Sequence, residues 1–182
     1  MARLVGVLLR EAFKLLNRLF NVCWLIPRQV DDGERIVRAI YSPYHLDKKK
    51  RRITREAYEP TPSTDEVSIM RLEHMGTFFC KRKARSFEHS HKKYQGFAVL
   101  RTSAVRASDM DVSDSRQHYC GHGEIRLMVE ELRGREPQEP LPPQLGKRVK
   151  ELKDRLKDSS HYVADPFPNS RWWKGEKLEP PK

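Results

Sequence analysis

Asp109, Asp111, Asp114, His118, Cys120, His122 and Glu124 form the densest cluster of ligand-type side chains in the chain. His118, Cys120 and His122 alternate, so an extended backbone would point all three to one side, with Glu124 next in the series. Imidazole nitrogen and thiolate sulfur together suit zinc or another divalent transition metal, with His118, Cys120 and His122 as ligands. Without a metal, the same stretch suits acid–base chemistry. His118 and His122 would move protons, and Glu124 or Asp114 would orient them, as in a small nuclease-like hydrolase. The pattern is short of any specific signature. His122-X-Glu124 lacks the Pro-Cys-X-X-Cys pair of zinc deaminases. No Cys-X-X-Cys occurs, and Asp109-X-Asp111 lacks the glycine and terminal glutamate of a calcium loop. The plainer alternative is an acidic loop entering a strand, with hydrogen-bonded polar groups and no metal. His89-X-His91 sits among cations, which disfavour a bound metal ion.

No other catalytic motif is present. There is no Gly-rich phosphate loop, Gly-X-Ser-X-Gly elbow or dinucleotide fingerprint, so the sequence names no reaction. Charge is more informative. The chain has 182 residues, 37% hydrophobic and 34% charged, with a net charge of +11. That length suits one ordinary domain, and that balance points to an anionic partner. The excess is concentrated. Residues 35–58 hold eight basic against two acidic side chains, and residues 71–106 hold nine against two. Residues 107–131 reverse the sign, with six acids against two bases, and contain the His–Cys–Glu cluster. Lys48, Lys49, Lys50, Arg51 and Arg52 are adjacent, with Arg55 close behind and Tyr44 nearby. Lys81, Arg82, Lys83 and Arg85 follow on a helical pattern, then Lys92 and Lys93. Cations for phosphates and aromatic faces for bases are what single-stranded nucleic acid requires. The expectation is a nucleic-acid-associated accessory protein or complex subunit, gripping the backbone of RNA or DNA non-specifically. The competing reading of residues 48–52 is a solvated hairpin tip.

The elements that must position these residues follow from periodicity. Residues 34–41, 66–72, 95–102 and 123–131 read as strands, and 104–106 as an extension of the third or a return beside it. Thr77 is a candidate cap for a short helix through Ser86. Pro142 and Pro143 suit a helix start, and Leu145, Val149, Leu152 and Leu156 recur at helical spacing. The order of elements predicts an α+β fold, a mostly antiparallel sheet with helices on one face. Three segments are expected: a helical arm over 1–27, a basic core over 28–135, and a proline-rich connector, helix and tryptophan-containing tail over 136–182.

The arm, residues 2–26, reads as an amphipathic helix closed by Pro27. Arg10, Glu11, Lys14 and Arg18 break its apolar run, so a transmembrane span is not expected. A peripheral membrane contact, a protein partner or the protein's own core are the surfaces it suits. Trp172 and Trp173 are a second candidate docking point, for a partner or for the core's edge. Cys23, Cys80 and Cys120 are far apart and odd in number. They are expected to be unpaired thiols, which favours a cytoplasmic location, with an organelle matrix or membrane surface as alternatives.

Overall fold

A computed structural model describes residues 23–47, 52–136 and 139–180. The expected arm over 2–22 and the cations Lys48, Lys49, Lys50 and Arg51 lie outside these residues. Cys23–Leu25 forms a single 3-10 turn ahead of Pro27.

Strand β1 (Arg35–Ser42) is followed by the two-residue strands β2 (Leu46–Asp47) and β3 (Arg52–Ile53), which pair as a small hairpin. A 3-10 turn over Arg55–Tyr58 leads to β4 (Glu66–Arg71) and helix α1 (Leu72–Arg85). Next come β5 (Lys93–Arg101), the short helix α2 (Thr102–Arg106), β6 (Asp111–Asp114) and β7 (His122–Arg126). Helix α3 (Pro143–Asp158) and strand β8 (His161–Ala164) complete the order. Six strands form one sheet in the order β6-β7-β4-β1-β5-β8, every neighbouring pair antiparallel. The fold is α+β with a mostly antiparallel sheet, as the element order predicts.

Strand periodicity explains the layers. Along β1, Ile36 and Ile40 join one core, while Val37, Ala39 and Tyr41 join the other. Both faces are apolar, so both need cover. Helix α3 covers the first face with Val149, Leu152 and Leu156, helped by Ala57 and Tyr58. Helix α1 covers the second with Met75, Cys80 and Ala84, joined by Leu178 of the C-terminal tail. The helices are thus divided between the two faces, where the sequence suggested one. Burying each leucine of α3 contributes roughly 1.5–3 kcal/mol.

Two expected features take another form. Residues 104–106 fall in helix α2, which turns the chain at the end of β5 instead of lengthening it. Helix α1 starts five residues before Thr77, at Leu72, and breaks at Gly76, whose φ of 67° and ψ of 163° are non-helical. Strand β8 draws the C-terminal segment into the sheet, pairing Gly96 with Ala164. A side chain at Gly96 would meet the Val163 carbonyl at 2.3 Å, so only glycine fits there. Among the described residues no helix is long and apolar enough to cross a membrane.

Candidate functional site

The sheet is not closed throughout. Strand β1 pairs with β5 along its whole length, from Arg35↔Arg101 to Ser42↔Lys93. It pairs with β4 only at Ile36↔Arg71 and Val37↔Met70. Beyond that point the two strands part, and a side chain spans the gap. Arg38 Nε donates to the Ala57 carbonyl at 2.9 Å, and Nη1 donates to the Ser68 carbonyl at 2.7 Å. A pocket of about 190 Å³ opens there, lined by Arg38 and Tyr41 of β1, Ser68 and Met70 of β4, and Phe87, Lys92, Tyr119 and His122.

The pocket is cationic. Among the described residues no carboxylate is paired with Arg38; its hydrogen-bond partners are carbonyl oxygens. Lys92 Nζ stands over the Tyr41 ring at 4.3 Å, and Lys83 Nζ over the Tyr119 ring at 4.4 Å. Burial, then the charge of Arg38, pushes the Lys92 ammonium below its ordinary range. Burial also lowers His45 to about 4, with Arg38 and Lys92 adding to it. Burial lowers Arg38 too, but a guanidinium keeps its charge at neutral pH, so its neighbours are the groups driven towards their neutral forms.

His122 of the His–Cys–Glu cluster lines one wall, and the cluster takes a different arrangement from the predicted one. Residues 115–121 are turns, closed by Ser115 N–H donating to the His122 carbonyl at 3.1 Å. The expected alternation along an extended strand therefore does not occur. His118 and His122 come together, their ring centroids 4.9 Å apart. Cys120 is directed away and bonded to Cys23, so it cannot serve as the metal ligand proposed for it. The prediction of three unpaired thiols is corrected at the same point. Only Cys80 is free, buried, with its thiol pushed well up by burial. Gly121 passes so close to Met75 that an added side chain would sit 2.3 Å from its Cγ.

His118 Nε2 lies 3.7 Å from Glu124 Oε1. His122 Nδ1 is 2.6 Å from Ser115 Oγ and 3.1 Å from the Ser115 carbonyl. A carbonyl only accepts, so that contact is made by the Nδ1–H tautomer, which leaves the Nε2 lone pair available. Burial lowers His122 to about 4; the Ser115 carbonyl opposes this, while His118, Lys83 and Arg38 reinforce it. Glu124 is pushed up by burial and by the adjacent Glu66 carboxylate. Asp114 is not part of this group. It is held by Arg71 at 2.8 Å and Arg116 at 2.6 Å, and its role is structural.

Apart from Lys83 and Lys92 beside the pocket, the described basic residues singled out above separate into three sets. Lys81 is fully buried, 2.7 Å from Asp165, and donates to the Phe167 and Trp172 carbonyls. It fastens the tail to α1 and is not a surface cation for nucleic acid. Arg55 pairs with Asp154 of α3, and Arg85 with Glu88, while Arg85 also donates to the Asn169 carbonyl. Arg52, Arg82 and Lys93 are exposed, as is Tyr44. Arg55 faces α3, whereas Lys83 and Arg85 belong to α1 on the opposite face. Trp173 packs on Phe97 at 5.6 Å and covers the core's edge, and Trp172 lies outside, against Phe78 at 4.6 Å.

Sequence reasoning did not single out Arg38, Ser115 or Tyr119. Arg38 left a visible signal, as a lone cation inside the apolar run from Ile36 to Ile40. Ser115 and Tyr119 left none, because their roles depend on the turn that folds them onto His122. No known protein family, characterised protein or solved structure matches this chain.

Proposed function

We propose that the protein binds phosphate-bearing ligands in the cleft between β1 and β4, and that nucleic acid is the class it takes. The observation that carries this is Arg38, held in a break of the sheet among Lys92 and Lys83 without a paired carboxylate. A guanidinium drawn partly out of water with no carboxylate beside it is costly unless an anion meets it. A pocket of about 190 Å³ is below the size of a whole small-molecule site, so it suits one phosphate of a longer ligand. The exposed cations Arg82 and Lys93 would extend the contact along a backbone. Fluorescence anisotropy with a single-stranded RNA or DNA oligonucleotide tests it. Affinity is expected to fall steeply between about 50 and 200 mM salt as counterions are released. A flat salt response would remove the reading.

A second reading is favoured by the meeting of His118 and Glu124 with His122, which lines that pocket. There the protein would hydrolyse the phosphodiester it binds. Loss of nuclease activity in His122→Ala, with oligonucleotide binding kept, is the expected result. The cytoplasmic assignment drew on three free thiols. With Cys23 bonded to Cys120, an oxidising compartment is the better reading.

A further inference from the structure

We infer that His118, His122 and Glu124 form a binding site for one divalent transition-metal ion of the zinc type. One ligand atom of each lies within 4.8 Å of the others. Zinc bonds of about 2.0–2.1 Å in tetrahedral geometry place ligand atoms about 3.4 Å apart. The His118–Glu124 separation of 3.7 Å is already close to that. The side chain of His118 is 58% exposed, with room to adjust, while His122 and Glu124 are buried.

The surroundings fit a metal in three further ways. Ser115 holds His122 through Nδ1, and a metal-bound imidazole characteristically has its second nitrogen held in this manner. Glu66 lies beside Glu124. A dication between them and the imidazoles would relieve the crowding of two carboxylates. The Cys23–Cys120 bond anchors the turn that carries His118 and leads into His122. Imidazole nitrogen selects zinc, cobalt or nickel over magnesium and calcium, which prefer all-oxygen sites. Three protein ligands with an exposed side resemble zinc sites that keep a position for water or substrate. The charges of Lys83 and Arg38 work against a cation here, and an anion in the adjoining pocket would offset them.

The inference goes beyond phosphate binding and is tested without any nucleic acid. The untagged full chain is stripped with chelator and titrated with Zn²⁺ by calorimetry and with Co²⁺ by visible absorption. One ion per chain is expected, with Co²⁺ bands of tetrahedral intensity. His118→Ala and Glu124→Gln are each expected to weaken binding by about tenfold or more. Both positions lie outside the hydrophobic core clusters, and circular dichroism checks that the variants stay folded. His89→Ala, a histidine elsewhere on the surface, is expected to bind as the parent does. Absence of saturable binding would overturn the site. So would parent-like affinity in both ligand variants, or an equal loss in His89→Ala.

Discussion

Arg71 and Arg38 sit on neighbouring strands of the same sheet, Arg38 two residues along β1 from the partner of Arg71, and are treated in opposite ways. Arg71 is fully buried. It meets Glu34 through two parallel bonds of 2.7 and 2.9 Å, Asp114 at 2.8 Å, and the carbonyls of Pro27 and Gln29. Its positive charge is answered twice over by carboxylates. Arg38 is half-buried and meets only the carbonyls of Ala57 and Ser68 among the described residues. The first arrangement is closed and fastens the segment entering the sheet. The second has charge left over beside an open pocket. A buried cation reads as structure when the protein neutralises it and as a binding group when it does not.

The largest test of that contrast is the stability of Arg71→Met against Arg38→Met. Arg71→Met takes the guanidinium from buried Glu34 and leaves Asp114 to Arg116 alone, and breaking a buried pair in this way costs about 3–5 kcal/mol. Arg38→Met leaves only carbonyls short of a donor, for about 1–2 kcal/mol. Urea unfolding measures both, and equal losses would erase the distinction. Reducing the Cys23–Cys120 bond comes next. It closes a span of 97 residues, and removing such a bond costs about 2–4 kcal/mol. Because Arg71 holds the same entering segment through Pro27 and Gln29, reduction and Arg71→Met are expected to cost less together than their separate losses added. Strict additivity would show that the two fastenings are independent.

Acid separates the two regions by pH window. Burial raises the Glu34 carboxyl, but hydrogen bonds from Arg71 and His74, with their charges, outweigh it and hold it at about 2 against an ordinary 4.5. Its contribution is complete above about 4.5 and is lost as pH falls through the folded value near 2. On the cleft side, burial and nearby cations hold His45 and His122 at about 4 against 6.5. There the unfolded chain takes up protons that the folded one refuses, so stability declines as pH falls from 6.5 to 4. Thermal melts between pH 8 and 3 should show two successive losses. His45→Gln is expected to shrink the upper one and leave the lower one in place.

How much of this was legible depends on how local the cause is. Strand β5 and helix α3 announce themselves. One has an apolar run from Phe97 to Leu100, and the other has leucine and valine at helical spacing. Strands β6 and β8 do not. Each is four residues at a sheet edge, and β6 offers only Val112 between aspartates and serine. Lys81 looked like its neighbours Arg82 and Lys83, yet it falls on the buried stripe with Ala84 and meets Asp165 from far along the chain. The Cys23–Cys120 bond joins residues too distant for spacing to relate them, and an odd cysteine count concealed it. In the candidate site, the grouping of His118, His122 and Glu124 was readable as composition. The turn that brings them together and sends Cys120 elsewhere was not, because it is closed by a backbone bond from Ser115 to His122.

Lys92→Ala has the smallest expected effect on stability and speaks most directly to function. The ammonium rests on the Tyr41 ring with no carboxylate paired to it among the described residues, and it faces the like charge of Arg38. Removing it should change stability by no more than about 0.5 kcal/mol, the usual range where no buried partner is left stranded. If the cleft receives a phosphate, the same change should weaken oligonucleotide binding several-fold and lower the salt slope by about one. Arg82→Ala, exposed and outside the pocket lining, should cost less. A Lys92 variant that loses stability but keeps its affinity and salt slope would place Lys92 with Arg71, as part of the frame, and leave Arg38 without a partner in binding.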